Sequence, residues 1–194
     1  FVISDEIYEK IIFDGLKHYS IASLNKAIFD LTITVNGLSK SHSMTGWRIG
    51  YLGAPADIAA AIAKLQDHST SNPTSISQKA AVAALAAPDD FTRNLCQQFL
   101  EKRDYLVSRV KEIKAFNYIL PEGAFYLFLN IERTKLDSLT FASKLLEEEF
   151  VAVIPGAGFG NDDYIRLSFA TSLEQIKKGM DRMSSWISRI HLKE

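Results

Sequence analysis

Cysteine is almost missing from these 194 residues: Cys96 is the only one. A single thiol excludes an internal disulfide and a cysteine-based zinc cluster, and it fits a reducing, cytoplasmic compartment. Net charge is nearly missing too, at −1. That removes the electrostatic case for nucleic acid or an anionic membrane as partner. The apolar runs fall far short of the ~20 residues of a membrane span, and no signal peptide is expected before the first of them. His18, His42, His68 and His191 lack metal-ligand spacing, so no metal is expected. There is no internal repeat and no low-complexity stretch.

What is present is an ordinary globular composition, 47% hydrophobic and 23% charged, at a length that can bury a core. The chain has no initiator methionine. It opens in Phe1-Val2-Ile3-Ser4-Asp5-Glu6, an apolar run closed by two acids. That pattern reads as a buried parallel strand, and such a strand needs partner strands and crossover helices to cover it. The expectation is the C-terminal part of a longer protein.

The first third alternates short apolar runs with loops. Residues 1–3, 31–35 and 49–52 read as buried strands. Helices are expected over 56–65, started by Pro55 and Asp57, and over 77–87, ended by Pro88. The polar loop 69–75 lies between them. Asp89 or Asp90 then caps a long helix to about residue 113, with Phe91, Leu95, Phe99 and Leu106 roughly on one face. Beyond it, strands and helices mix. A hairpin of 118–120 and 124–131 turns at Pro121-Glu122-Gly123. A helix over 138–150, strands over 151–154 and 164–169, and a final amphipathic helix over 173–190 follow. Glu147, Glu148 and Glu149 read as a solvated helix end. Gly156-Ala157-Gly158-Phe159-Gly160 reads as a glycine turn rather than a dinucleotide loop, because Pro155 breaks the strand-to-helix context. The long helix is the expected hinge, dividing residues 1–88 from a smaller α/β domain at 89–194.

Three pieces carry chemistry. The first is Asp5-Glu6-Ile7-Tyr8. On a regular strand, positions 5 and 8 face opposite ways, so both meet one ligand only if the chain bends there. A carboxylate at that strand mouth can hold a pyridine nitrogen protonated, and the Tyr8 phenol can donate to a ring oxygen. The plainer alternative is an acidic strand end beside a half-buried tyrosine. The second piece runs from Asn36-Gly37-Leu38-Ser39-Lys40 to Met44-Thr45-Gly46-Trp47-Arg48-Ile49-Gly50. An amine in a partly dry pocket is a nucleophile toward carbonyls, and the arginine eight residues on offers a fixed charge to an anion such as phosphate. Gly46 and Gly50 bracket that arginine and are expected to allow close backbone approach. The third piece is Tyr164-Ile165-Arg166-Leu167-Ser168-Phe169. An arginine inside an apolar strand is costly unless it meets an anion, either a substrate carboxylate or a structural acid.

Together these pieces resemble the class I/II aminotransferases, fold-type I enzymes that use pyridoxal phosphate. The resemblance covers essentially the whole chain and matches the family's C-terminal half. Its signatures appear in order: Ser4-Asp5-Glu6-Ile7-Tyr8, Ser39-Lys40 through Gly50, Ser71-Asn72-Pro73-Thr74-Ser75, Pro121-Glu122-Gly123-Ala124-Phe125-Tyr126, Ile154-Pro155-Gly156, and Tyr164-Ile165-Arg166-Leu167-Ser168. It implies an α/β fold: the end of a mostly parallel-sheet cofactor domain, then a smaller α/β domain. It implies Lys40 as Schiff-base lysine and proton shuttle, Asp5 at the pyridinium nitrogen and Tyr8 at the ring oxygen. Arg48 would hold the phosphate and Arg166 the substrate α-carboxylate. Many relatives carry a hydroxyl three residues before the lysine. Here that position is Gly37, and Ser39 or a backbone N–H is the expected substitute. The implied reaction is transamination between an L-amino acid, of aspartate or aromatic type, and a 2-oxo acid, in a homodimer. The isolated chain is expected to bind the cofactor poorly and not to turn over. Two rivals share the scaffold: carbon–sulfur lyases and related fold-type I enzymes, and ligand-sensing domains without catalysis.

Overall fold

A computed structural model describes residues 1–191; the last three positions of the expected 89–194 domain lie outside the described residues. The chain divides into two compact units, Phe1–Cys96 and Gln97–Glu194.

The first unit is built on a three-stranded sheet. Strand β1 (Val2–Asp5) precedes a short helix α1 (Lys26–Phe29), β2 (Thr32–Gly37) and β3 (Gly50–Gly53), and the sheet order is β1-β2-β3. β1 runs parallel to β2, with Val2 opposite Thr32 and Asp5 opposite Val35. β2 and β3 are antiparallel, with Gly37 opposite Gly50. Helix α1 escaped the sequence pattern because it is one turn long. Its start is fixed by the Asn25 side chain, which accepts the Ile28 N–H at 2.9 Å. Two further helices follow, α2 (Ala56–Ser69) and α3 (Ser75–Ala86). Leu38, Met44 and Ala81 form a small buried cluster, with Ile49, Ala80 and Ala84 against it. Ile11 and Phe13 are buried as well.

The parallel pairing of β1 is as expected, but its burial is not. Phe1 is 83% and Ile3 73% exposed. β1 lies at one edge of the three-stranded sheet, and its residues alternate between half-buried and exposed. The apolar run signals a strand with a hydrophobic face, whereas coverage depends on what packs against that face.

Helix α4 (Asp90–Lys111) carries the chain into the second unit. There the sheet order is β4-β5-β7-β6, from β4 (Asn117–Tyr118), β5 (Tyr126–Asn130), β6 (Ile154–Pro155) and β7 (Tyr164–Ser168), all antiparallel. Leu127 and Leu129 of β5 and Ile165 and Leu167 of β7 alternate inward, as period-two side chains must. Helices α5 (Ser138–Glu149) and α6 (Leu173–His191) cover the core with Phe141, Leu145, Met183 and Trp186. The Phe141 and Trp186 rings meet edge to face at 5.0 Å.

Two local expectations are corrected. The strand expected over 151–154 shortens to Ile154–Pro155. Phe150 adopts a left-handed backbone and closes α5, so the N–H groups of Phe150 and Val151 turn back to Leu146 and Leu145 instead of joining a ladder. The acids at the end of α5 are also more than solvated. Glu148 accepts from the Trp186 indole at 2.8 Å, and Glu149 pairs with Arg189. Gly156 opens a 3-10 turn; a Cβ there would sit 2.3 Å from the Tyr164 carbonyl oxygen, so only glycine fits. Among the described residues no helix is long and apolar enough to cross a membrane.

Candidate active site

The site grows from the parallel pair. β1 and β2 end side by side, and their C-terminal mouths are where open α/β sheets bind ligands. At the mouth of β1 the chain bends. The Asp5 carboxylate accepts the Ile7 N–H at 3.2 Å. The Glu9 N–H donates to the Glu6 carbonyl at 3.0 Å, and the Ile11 N–H to the Tyr8 carbonyl at 2.9 Å. This turn is the bend that lets Asp5 and Tyr8 line one recess.

At the mouth of β2, buried Leu38 pins the next loop to the core. Its carbonyl accepts both the His42 N–H, at 3.1 Å, and the Met44 N–H, at 3.3 Å, wrapping the chain around Lys40. Thr45 ties the loop closed by donating to the Ser39 carbonyl at 3.1 Å. Arg48 ends the loop. Its Nη1 donates to the Thr45 carbonyl at 2.9 Å, and its backbone sits in the left-handed region at φ 52°. A non-glycine residue in that region is strained, and such strain concentrates at functional sites.

Asp5, Tyr8, Ser39, Lys40 and Arg48 thus line one open recess of about 430 Å³, with Thr45 on its wall. Arg166, the sixth candidate, lies on β7 of the second unit. There its guanidinium lies 4.4 Å from the centre of the Tyr126 ring and 4.5 Å from that of Phe159. Among the described residues no carboxylate pairs with it, so aromatic faces rather than a structural acid hold this cation. Tyr126 stood in a recognised motif; Phe159, inside a glycine turn, gave no signal.

The glycines divide. A Cβ on Gly50 would lie 3.1 Å from the Asn36 carbonyl oxygen, a close approach as expected, whereas Gly46 has open space around it and is not required on that ground. Gly37 is tight as well: a Cβ would lie 3.1 Å from Ile7 Cδ1 and 3.3 Å from the Gly50 Cα. A side chain at 37 would therefore need Ile7 and the neighbouring backbone to shift by a few tenths of an ångström. Ser39 stands on the recess wall. His42 faces its neighbour Ser41 at 2.8 Å and stacks on Phe91.

Sequence reasoning passed over Glu6. It is buried, and burial pushes its carboxyl upward. Hydrogen bonds from Ser20, His18 and Ser4, with the charge of His18, outweigh that and hold it below its ordinary range. The Tyr51 phenol is pushed up by burial and by the charge of Glu9.

Residues 1–183 match the model of the family described as aminotransferase class I and II. The chain belongs to the class I and II aminotransferases. It is 43% identical over 193 residues to an aspartate aminotransferase of Bacillus subtilis, covering 97% of this chain and 49% of that one. It is also 43% identical to a probable aspartate/prephenate aminotransferase of Rickettsia conorii, covering 97% and 50%. Among solved structures, the aspartate aminotransferase of Rhizobium meliloti superposes with a TM-score of 0.92 at 37% identity, over 96% of this chain and 49% of that chain. The aromatic aminotransferase of Pyrococcus horikoshii superposes at 0.93 and 38%, over 98% and 52%. The chain spans about half the length of the curated relatives it matches, and its α/β architecture is that of the matching part of this family.

Proposed function

We propose that this chain supplies the lysine-bearing part of a pyridoxal-phosphate-dependent aminotransferase that moves an amino group between an L-amino acid and a 2-oxo acid. The observation that carries the reading is the convergence of Lys40, Asp5, Tyr8, Ser39 and Arg48 on one recess. The donor set suits the cofactor: an amine for its aldehyde, a carboxylate for its ring nitrogen, a phenol for its ring oxygen, and a guanidinium with a hydroxyl for its phosphate.

When bound, pyridoxal phosphate supplies an electrophilic carbon and a ring that accepts electrons. Lys40 would hold the cofactor through Nζ and, once freed by substrate, would take up the substrate α-proton on that nitrogen and deliver it to a different carbon, the shift that distinguishes transamination from racemisation. Asp5 favours the protonated ring nitrogen through opposite charge. Tyr8 donates its O–H to the ring oxygen. Arg48 and Ser39 hold the phosphate, and Arg166 receives the substrate α-carboxylate through its planar fork. On this reading residues 1–88 end the cofactor domain, and 89–194 form a linking helix and a small domain. The division at Cys96, inside α4, supports that arrangement. The names of the relatives favour an aspartate-type or aromatic substrate. The family resemblance favours a homodimer, and the one free thiol, Cys96, a cytoplasmic setting.

The test is Lys40→Ala in the complete enzyme. The lysine-linked visible absorbance disappears and turnover falls by on the order of 10⁴-fold, the scale of losing a general acid–base group. A mutant that keeps the lysine-linked spectrum overturns the assignment.

A further inference from the structure

Between Asp5 and Tyr8 stands a residue that the chemistry above does not use. Glu6 is only 5% exposed, and a carboxylate that deep needs partners for its oxygens. Its Oε1 accepts from Ser4 Oγ at 3.0 Å and from Ser20 Oγ at 2.7 Å. Its Oε2 lies 3.1 Å from His18 Nε2. The backbone of the same residue is fixed twice more. Its N–H donates to the Val35 carbonyl at 2.9 Å, extending the β1–β2 ladder by one bond, and its carbonyl accepts the Glu9 N–H.

These anchors meet where the strand becomes a turn. Ser4 is on β1, and His18 and Ser20 belong to the segment that follows buried Ile11 and Phe13. Ser20 is itself held there, since its carbonyl accepts from Ser23 Oγ at 2.7 Å. The carboxylate therefore joins the end of β1 to a loop twelve to fourteen residues later. Asp5 precedes Glu6, and Tyr8 follows two residues on.

We propose that Glu6, clamped by Ser4, His18 and Ser20, is a positioning residue that fixes the turn between Asp5 and Tyr8 and so holds their carboxylate and phenol at the cofactor ring. The inference rests on the aminotransferase reading. The amide keeps one accepting oxygen but puts an NH2 where the second oxygen stood and removes the negative charge, so the three contacts made to the carboxylate weaken and the turn loosens. The effect reaches the cofactor through Asp5, whose carboxylate stabilises the charged ring nitrogen. A merely structural acid would alter stability and leave the chromophore alone.

The experiment compares Glu6→Gln with the benchmark Asp5→Asn in the complete enzyme loaded with pyridoxal phosphate. It reads the pH titration of the visible chromophore, the dissociation constant of the cofactor and the thermal midpoint. Glu6→Gln shifts the chromophore titration in the same direction as Asp5→Asn and weakens cofactor binding about 10- to 100-fold, the usual scale for a group that orients a ligating residue. An unchanged titration and unchanged affinity overturn the proposal, whatever the thermal midpoint does. If Glu6→Gln does not fold, Ser20→Ala and His18→Ala each remove one partner of the carboxylate, and smaller shifts in the same direction support the proposal. A wild-type titration in both overturns it. Lys40→Ala separates the two levels: loss of its lysine-linked spectrum beside an unchanged Glu6→Gln sinks the positioning role alone, and retention of that spectrum sinks both.

Discussion

The two units solve different problems. In the second, helices α5 and α6 lie on a four-stranded antiparallel sheet, and Leu127, Leu129, Phe141, Leu145, Ile165 and Trp186 are fully buried. In the first, α2 has no buried residue, α3 buries only Ser77 and Ala81, and Leu65, Ile76 and Leu85 are exposed. Yet all five candidate residues on the recess, Asp5, Tyr8, Ser39, Lys40 and Arg48, belong to the first. The contrast separates two uses of sequence. One unit gains its stability from close packing of its own side chains. The other holds polar groups, a strained arginine and close backbone contacts in place with a small apolar cluster.

The contrast can be broken most directly by truncation. Phe141→Ala, which also strips the Trp186 ring of its partner, lowers the unfolding free energy of the second unit by about 3–5 kcal/mol. Leu65→Ala in α2, where the side chain is 72% exposed, changes stability by no more than about 0.5 kcal/mol. Equal losses in a denaturant titration of the two variants would erase the distinction. Amide hydrogen exchange sharpens it. Protection is expected to be greatest in β5 and β7 and least in α2, because opening follows the local density of buried contacts.

The smallest effect is in acid. Glu6 in the first unit and Asp137 in the second both have carboxyls held below their ordinary range. For Glu6 the donors named above outweigh burial. For Asp137 the Thr140 N–H and hydroxyl do so, capping α5. A depressed folded value contributes stability above the unfolded value and loses it as pH falls through the folded one. Both units therefore weaken on acidification. Asp137→Asn keeps the cap while flattening the acid limb of the second unit only, read as its thermal midpoint between neutral and acid pH.

Much of this was legible because it is local. Lys40 through Gly50 is one continuous stretch of chain leading into β3, and the parallel pair β1 and β2 that precedes it shows in its apolar runs. The bend at Asp5–Tyr8 followed from requiring two residues of opposite parity to face one ligand. What the sequence hid is held by distant partners. Glu148 and Glu149 read as solvated because Trp186 and Arg189 lie 38 and 40 residues away in the chain. Glu6 read as half of an acidic strand end because nothing in Ser4-Asp5-Glu6 announces His18 or Ser20. The exposure of Phe1 and Ile3 agrees with the expectation that this apolar strand needs further elements to cover it.

The crowding at Gly37 couples two positions that share no chemistry. The space a serine side chain would need there is taken by Ile7 Cδ1 and by backbone of Ile49 and Gly50. Trimming residue 7 clears the first obstacle and leaves the other two. A side chain at 37 would require Ile7 and the backbone of Ile49 and Gly50 each to give by a few tenths of an ångström, so the fit of this corner is shared between residue 7 and the β2–β3 junction.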